Sequence, residues 1–181
     1  GIDALEYLRA MAVDDKSVYL DQTDEKYGPL FASNNIGMII SGPWMLWDLQ
    51  QAKTKYGVVQ LPSLPGGTHQ TVGATDLWVL FNHADADRAY WSYEFTKWLS
   101  LPEQDARWNI ALGNLPLRPS EKDLPAFKEN AKGLPGLDVF VDNLKNVTKP
   151  RPTVKGYTGL SAAFGKAVGR VLQGQGDPQT E

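Results

Sequence analysis

Three short apolar runs alternate with longer segments of helical periodicity, and this alternation is the feature that most limits the fold. The runs cover residues 36–40, 56–61 and 77–81 and are flanked by glycine, proline or asparagine. Apolar runs of this length are typical of buried β-strands. Helical periodicity is clearest over residues 85–99 and 156–172. The sequence therefore predicts a helix-rich α/β fold with at least three strands.

The composition is that of a globular protein. The chain has 181 residues, of which 42% are apolar and 22% charged, enough for one domain or two small lobes. The formal net charge of −3 lacks the basic excess that binds nucleic-acid backbones, so no nucleic-acid partner is expected. The absence of cysteine excludes disulfides, thiolate metal sites and cysteine nucleophiles.

Common catalytic, cofactor and metal motifs are missing. The sequence contains no glycine-rich dinucleotide or phosphate loop, no H-E-x-x-H and no G-x-S-x-G, so no cofactor, metal or catalytic residue is predicted. His69 and His83 lack ligand spacing and are interpreted as surface residues. Ser100 and Glu103 form an S-x-x-E pattern that predicts a side-chain cap for a helix ending near Leu112.

Four side chains are candidates for ligand contact, each with a structural alternative. Trp44 follows Gly42-Pro43 after a predicted strand, where an indole either stacks on a sugar ring or packs in the core. Asp76 is either a strand-end cap or a hydrogen-bond acceptor in a cleft. Arg118 and Arg151 lie on proline-rich segments and either bind a ligand oxygen or form surface ion pairs.

The order of these landmarks resembles the C-terminal half of bacterial solute-binding proteins that serve carbohydrate ABC importers. This extended family includes maltose-binding and glycerol-3-phosphate-binding proteins. The resemblance extends over nearly the whole chain and rests on the following segments: G-M-I-I-S-G-P-W at 37–44, Y-G-V at 56–58, P-G-G at 65–67, V-G-A at 72–74, S-L-P-E at 100–103, G-N-L-P-L-R at 113–118 and G-K-A at 165–167.

The resemblance implies a type II periplasmic-binding-protein-like fold with two lobes, only partly represented in this chain. Residues 1–75 and 118–181 would belong to the C-terminal lobe, and residues 76–117 would return to the N-terminal lobe. The protein would not be an enzyme. It would bind a sugar or oligosaccharide between the lobes and deliver it to permease subunits, in the periplasm or outside the cell, anchored as a lipoprotein in a Gram-positive organism.

The resemblance also assigns roles to individual residues. Trp44 would stack on the ligand, Asn114 would supply polar contacts and Tyr157 would approach from the last helix. The turn at 73–76 would lie at a hinge crossing and face the cleft. The full set of implied ligand contacts is Trp44, Gly73, Ala74, Thr75, Asp76, Gly113, Asn114, Arg118, Arg151 and Tyr157.

The family members are longer than this chain, which suggests a fragment or one partner of an assembly. The other partner would be the missing N-terminal half or a swapped copy. Trp91, Phe95 and Trp98 form one helical stripe, expected to pack in a core or, without its sheet, to remain exposed as an interaction surface. Three other functions remain open: binding of glycerol-3-phosphate or a glycerophosphodiester, a carbohydrate-active enzyme using Asp76, and a protein-interaction module.

Overall fold

A computed structural model describes residues 1–21, 23–63, 66–82, 85–148 and 151–180. His83 lies outside the described residues. The chain forms two compact units, one of Gly1–Ile39 with Arg151–Glu181 and one of Ile40–Pro150. The predicted lobe boundaries after residues 75 and 117 concern a larger two-lobed molecule and stay a prediction.

The described residues form eight α-helices and three shorter helical turns. The α-helices are α1 (Ile2–Arg9), α2 (Asp24–Ala32), α3 (Met45–Gln51), α4 (Ala86–Leu99), α5 (Pro102–Ala111), α6 (Pro125–Ala131), α7 (Leu137–Asn143) and α8 (Tyr157–Leu172). A π-helical turn, Ala10–Asp14, continues α1, and 3-10 turns occupy Pro119–Asp123 and Leu144–Asn146. None of the described helices is both long and apolar enough to cross a membrane.

In the first unit, α1 packs against α8. Val171 is fully buried and Ala167 nearly so, and their spacing of four residues places them on one face of α8. The Gln179 side chain donates a hydrogen bond of 2.9 Å to Glu6. These contacts join the two ends of the chain within this unit.

The second unit contains the largest apolar cluster among the described residues. Leu46 of α3 and Ile110 of α5 pack with Phe127 of α6, together with Leu134 and Leu137. α5 and α6 also contact the 3-10 turn at Pro119–Asp123. The cluster therefore ties the segment that begins with Trp44 to the segment that follows α5.

The three predicted strands are not observed, and the described residues contain no β-strand. Residues 38–40, 56–61 and 77–81 have irregular backbone. Their apolar side chains are largely exposed, including Met38 at 86% and Val59 at 87%. A strand needs a neighbouring strand to accept and donate its backbone hydrogen bonds, and these runs have not paired. The α/β prediction is therefore not confirmed by the structure.

The helix predictions hold better, with two corrections. Ser100 does not cap α5: the helix begins after Leu101 without a side-chain cap, and the Ser100 hydroxyl instead donates to the Thr96 carbonyl of α4 at 2.9 Å. The core interpretation of Trp91 and Trp98 is also wrong, since they are 67% and 48% exposed. The apolar stripe of α4 lies at the surface because no sheet formed by the described residues covers it.

Candidate functional site

Trp44 lies directly before α3 and presents its indole to solvent. Its backbone is held in a turn in which Met45 and Leu46 donate to the carbonyls of Gly42 and Pro43 at 3.2 and 3.1 Å. Trp44 is 52% exposed, and its indole lies over Gly42, where any Cβ would overlap the ring. A half-exposed aromatic on a fixed turn has a face available for stacking.

Gly113 packs directly against the Trp44 backbone. It ends α5 with a φ of +72°, and a Cβ at this position would lie 2.7 Å from the Trp44 Cα. Its N–H donates to the Ile110 carbonyl at 3.0 Å. Glycine is therefore required both for the left-handed backbone and for the close approach of the two segments.

Asn114 joins α5 to the segment around Asp76. Its backbone N–H donates to the Asn109 carbonyl at 2.7 Å, and its side-chain amide donates to the Asp76 carboxylate at 3.4 Å. Asp76 is exposed and Asn114 is half-buried. Trp44, Asp76, Gly113 and Asn114 are thus brought into two linked contacts within the second unit.

The rest of the predicted turn at 73–76 is only partly packed. Gly73 lies against Val147, whose Cγ1 would be 2.6 Å from a Cβ at that glycine. Ala74 and Thr75 are exposed. Their placement leaves both residues open to a ligand but provides no side-chain contact that marks them as ligand residues.

Arg118 is engaged with a buried carboxyl group. Its Nη1 donates to Glu121 Oε1 at 2.7 Å, and Glu121 has no exposed surface. Arg118 therefore forms an ion pair, with a buried partner and not with one at the surface. Whether Arg118 also contacts a ligand stays a prediction.

Arg151 and Tyr157 belong to the first unit. Arg151 is exposed on irregular backbone, and Tyr157 is the half-buried first residue of α8. The Tyr157 N–H donates to the Val154 carbonyl at 3.1 Å. Their role as ligand contacts remains a prediction.

The residue-by-residue predictions missed an aromatic pair in the second unit. The rings of Trp78 and Trp108 are 5.7 Å apart with planes tilted by 43°, and both are about half exposed. Trp78 is two residues from Asp76 in the sequence. That spacing was the available sequence signal.

Other parts of the described chain give weaker candidates. A cavity of 460 Å3 in the first unit is lined by residues outside the predicted set: Lys16, Ser17, Val18, Tyr19, Leu30, Asn35, Ile36 and Gly37. The described residues contain no group of three or more histidine, cysteine or acidic side chains placed to hold a metal. His69 is exposed and donates from Nδ1 to the Leu61 carbonyl at 2.6 Å.

The arrangement around Trp44 suits a polar ligand with an apolar face. The indole offers stacking area, the Asp76 carboxylate accepts hydrogen bonds, and the Asn114 amide both donates and accepts them. These are reversible contacts. The site brings together binding groups of the kind that recognise hydroxyl-bearing molecules.

Comparison with known proteins shows a family for the sequence. The sequence profile described as "Bacterial extracellular solute-binding protein" matches residues 1–136. Proteins of Brucella abortus (strain 2308 and biovar 1 strain 9-941) and Brucella suis biovar 1 (strain 1330) are each 24% identical over 151 residues. Their names describe binding proteins and state no ligand. The match covers 82% of this chain and 35% of each relative, so the chain spans about a third of their length.

The family profile includes Trp44, Asp76, Gly113 and Asn114, since all four lie within residues 1–136. The four residues that meet in the second unit are therefore inside the matched region. The chain belongs to the family of bacterial extracellular solute-binding proteins.

Proposed function

We propose that this chain is part of the solute-binding component of an ABC import system and that it binds a sugar or oligosaccharide. Family membership supports solute binding, and the exposed Trp44 indole beside linked Asp76 and Asn114 side chains supports a carbohydrate ligand. The bound solute would be delivered to permease subunits in the membrane. The protein would act in the periplasm or outside the cell, with a lipoprotein anchor in a Gram-positive organism.

One combination supports a sugar ligand: the exposed Trp44 indole can stack on a sugar ring, and Asp76 and Asn114 can still form hydrogen bonds with a ligand. The single Asn114–Asp76 hydrogen bond is long, at 3.4 Å. A carboxylate accepts about four hydrogen bonds, so Asp76 retains acceptor sites for ligand hydroxyls. A pyranose ring presents C–H groups on its face and hydroxyls on its rim, which fits this combination.

The charged side chains of the second unit support a glycerol phosphate ligand less well than they support a sugar. Arg118, the candidate cation of the second unit, is held by Glu121 at 2.7 Å, and Asp76 would repel a phosphate. Solute-binding proteins of this family are generally non-enzymatic, so no turnover is proposed.

We expect the remaining part of such a protein to supply further ligand contacts. Residues 76–117 would contribute to an N-terminal lobe, and residues 1–75 and 118–181 to a C-terminal lobe. The relatives extend well beyond the matched region. This supports a second lobe that comes from the remaining part of such a protein or from a swapped copy. Tyr157 and Arg151 stay proposed ligand contacts.

Calorimetric titration with a panel of disaccharides, oligosaccharides and glycerol phosphates tests this proposal. The chain is titrated alone and joined to a segment that supplies the second lobe. Trp44→Ala should weaken saccharide binding about tenfold, because loss of an aromatic stacking contact costs about 1–1.5 kcal/mol. Trp91→Ala is the matched control, since Trp91 is similarly exposed but lies on α4.

The control should bind saccharides as tightly as the unmodified chain. Equal losses in the two variants, or saccharide binding by neither format of the unmodified protein, would contradict the assignment. A response to glycerol phosphates alone, abolished by Arg118→Ala, would favour the phosphate ligand instead.

A further inference from the structure

Two buried polar side chains lie one helical turn apart on α5. Asp105 is 4% exposed and Asn109 is 7% exposed, and the Asn109 amide donates a hydrogen bond of 2.6 Å to Asp105 Oδ1. Burying two polar groups is costly, and one hydrogen bond between them offsets only part of that cost. The contacts that the two residues make outside α5 therefore indicate what the pair does.

Each residue of the pair holds a different end of the segment that follows α5. The Asn114 backbone N–H donates to the Asn109 carbonyl at 2.7 Å. The Leu117 backbone N–H donates to Asp105 Oδ2 at 3.1 Å, a contact between residues twelve positions apart. Residues 114–117 are thus held at their first and last positions by the face of α5 that carries Asp105 and Asn109.

The two residues between these contacts restrict the segment further. Pro116 is buried, and its ring fixes its own φ. Leu115 precedes a proline, which favours extended backbone, and it packs against the apolar cluster of the second unit. A short segment with restricted backbone and two held ends has few conformations open to it.

This segment begins with a residue of the candidate site. The Asn114 side-chain amide donates to the Asp76 carboxylate at 3.4 Å. Asp105 is buried, and each of its oxygens already accepts from a protein donor. An effect of Asp105 on a ligand would therefore act through the segment that it holds and not through direct contact.

We propose that Asp105 is a positioning residue for the candidate site. With Asn109 it forms a polar clamp that holds residues 114–117 against α5 and fixes where the Asn114 amide is presented to a ligand. The ligand part of this inference rests on the proposed function, whereas the clamp is a property of the chain without ligand. Loss of the bond to Leu117 removes one of the two held ends and lets Asn114 leave its place beside Asp76.

Amide hydrogen exchange of the unmodified chain, followed by NMR, tests the clamp without ligand. Leu117 is 55% exposed and lies between α5 and the 3-10 turn, outside both. Its N–H would exchange freely unless Asp105 accepts its hydrogen bond. The clamp predicts exchange at least about tenfold slower than that of an unprotected amide. Exchange of Leu117 at the unprotected rate would overturn the proposal.

Asp105→Leu removes both acceptor oxygens and keeps a side chain of similar size. Exchange of the Leu117 amide should become about tenfold faster relative to Leu137, since loss of one hydrogen bond changes the opening equilibrium by about that factor. Leu137 serves as the reference because it is buried and its N–H donates to the Leu134 carbonyl at 3.1 Å. A general loss of stability would accelerate both amides together.

Asp105→Asn separates the hydrogen bonds from the charge. Its amide oxygen can accept from Leu117, and its nitrogen can donate to the Asn109 side chain once that amide has turned over. Exchange of Leu117 should therefore stay closer to that of the unmodified chain than to that of Asp105→Leu. An exchange rate in Asp105→Asn as fast as in Asp105→Leu would contradict a role through hydrogen bonding.

Glu103→Leu is the matched control, because Glu103 is an exposed acid in the first turn of the same helix. It makes the same kind of change without touching the clamp and should leave the exchange of Leu117 as it is in the unmodified chain. Equal exchange of Leu117 in Asp105→Leu and Glu103→Leu would overturn the proposal.

Titration of the same variants with the saccharide panel measures the effect on binding. Asp105→Leu should weaken saccharide binding about tenfold, the loss of one oriented hydrogen bond from Asn114, and Asp105→Asn should restore most of the affinity. Unchanged affinity in Asp105→Leu would overturn the positioning role. An unmodified chain that binds no saccharide but shows the expected exchange pattern would contradict the proposed function and support the clamp.

Discussion

Gly113 is the residue on which the contact between the candidate binding segments depends most directly. Its φ is +72°, and a Cβ at this position would lie only 2.7 Å from the Trp44 Cα, which leaves no room for a side chain. Gly113→Ala should destabilise the chain by about 2–4 kcal/mol, because backbone strain adds to a clash with backbone that cannot move away. Urea unfolding followed by circular dichroism measures the loss.

Gly57→Ala provides the comparison within the same unit. Gly57 has no positive φ and nothing within 4 Å of its Cβ position, so alanine there should leave stability unchanged or raise it by about 0.4–1 kcal/mol. A Gly113→Ala variant as stable as Gly57→Ala would show that the two segments do not meet as described.

Single residues also show which contacts could be predicted from the sequence and which could not. Trp44 and Asn114 could be proposed as ligand residues because their flanking motifs are distinctive. For Arg118 the sequence left an ion pair open as the alternative to a ligand contact, and the structure shows the pair with Glu121. The burial of Glu121 could not be predicted from the sequence, because it depends on how the 3-10 turn packs against α5.

At the scale of the helices and their packing, α3 gives the clearest test of the second unit. Leu46 is 2% exposed and lies in the apolar cluster with Ile110 and Phe127. Leu46→Ala should lower the free energy of unfolding by about 2–4 kcal/mol through lost burial and the remaining cavity. Denaturant titration monitored by circular dichroism measures this change.

Leu112→Ala makes the same chemical change at a surface position. Leu112 follows α5 and is 51% exposed, so its truncation should cost well under half as much, about 0.5 kcal/mol. Similar losses for the two variants would contradict the burial of α3 in the core.

The helices were predictable and the strands were not, for one physical reason. α4 and α8 follow from the spacing of their own residues, because a helix satisfies its backbone hydrogen bonds locally. The runs at 56–61 and 77–81 need distant partners for theirs. Their residues, such as Val59 and Leu77, are 87% and 78% exposed. Strand-forming composition alone therefore did not establish a sheet.

At the scale of the whole molecule, the total accessible surface is larger than that of a folded protein of the same mass. The chain exposes 13569 Å2, whereas a folded monomer of 20.0 kDa exposes about 8,700 Å2. Two separate domains of half that mass would still expose only about 10,500 Å2. The excess includes the stripe of Trp91, Phe95 and Trp98 on α4, each about half exposed or more.

Self-association of the isolated chain is the expected consequence, because a contiguous apolar patch of this kind favours burial against a second copy. Light scattering should give a mass above 20.0 kDa that rises with concentration. Trp91→Glu should lower it towards the monomer value. Gln51→Glu adds the same charge at an exposed position and should associate like the unmodified chain. A mass of 20.0 kDa at every concentration would show that the α4 surface is stable in water without a partner.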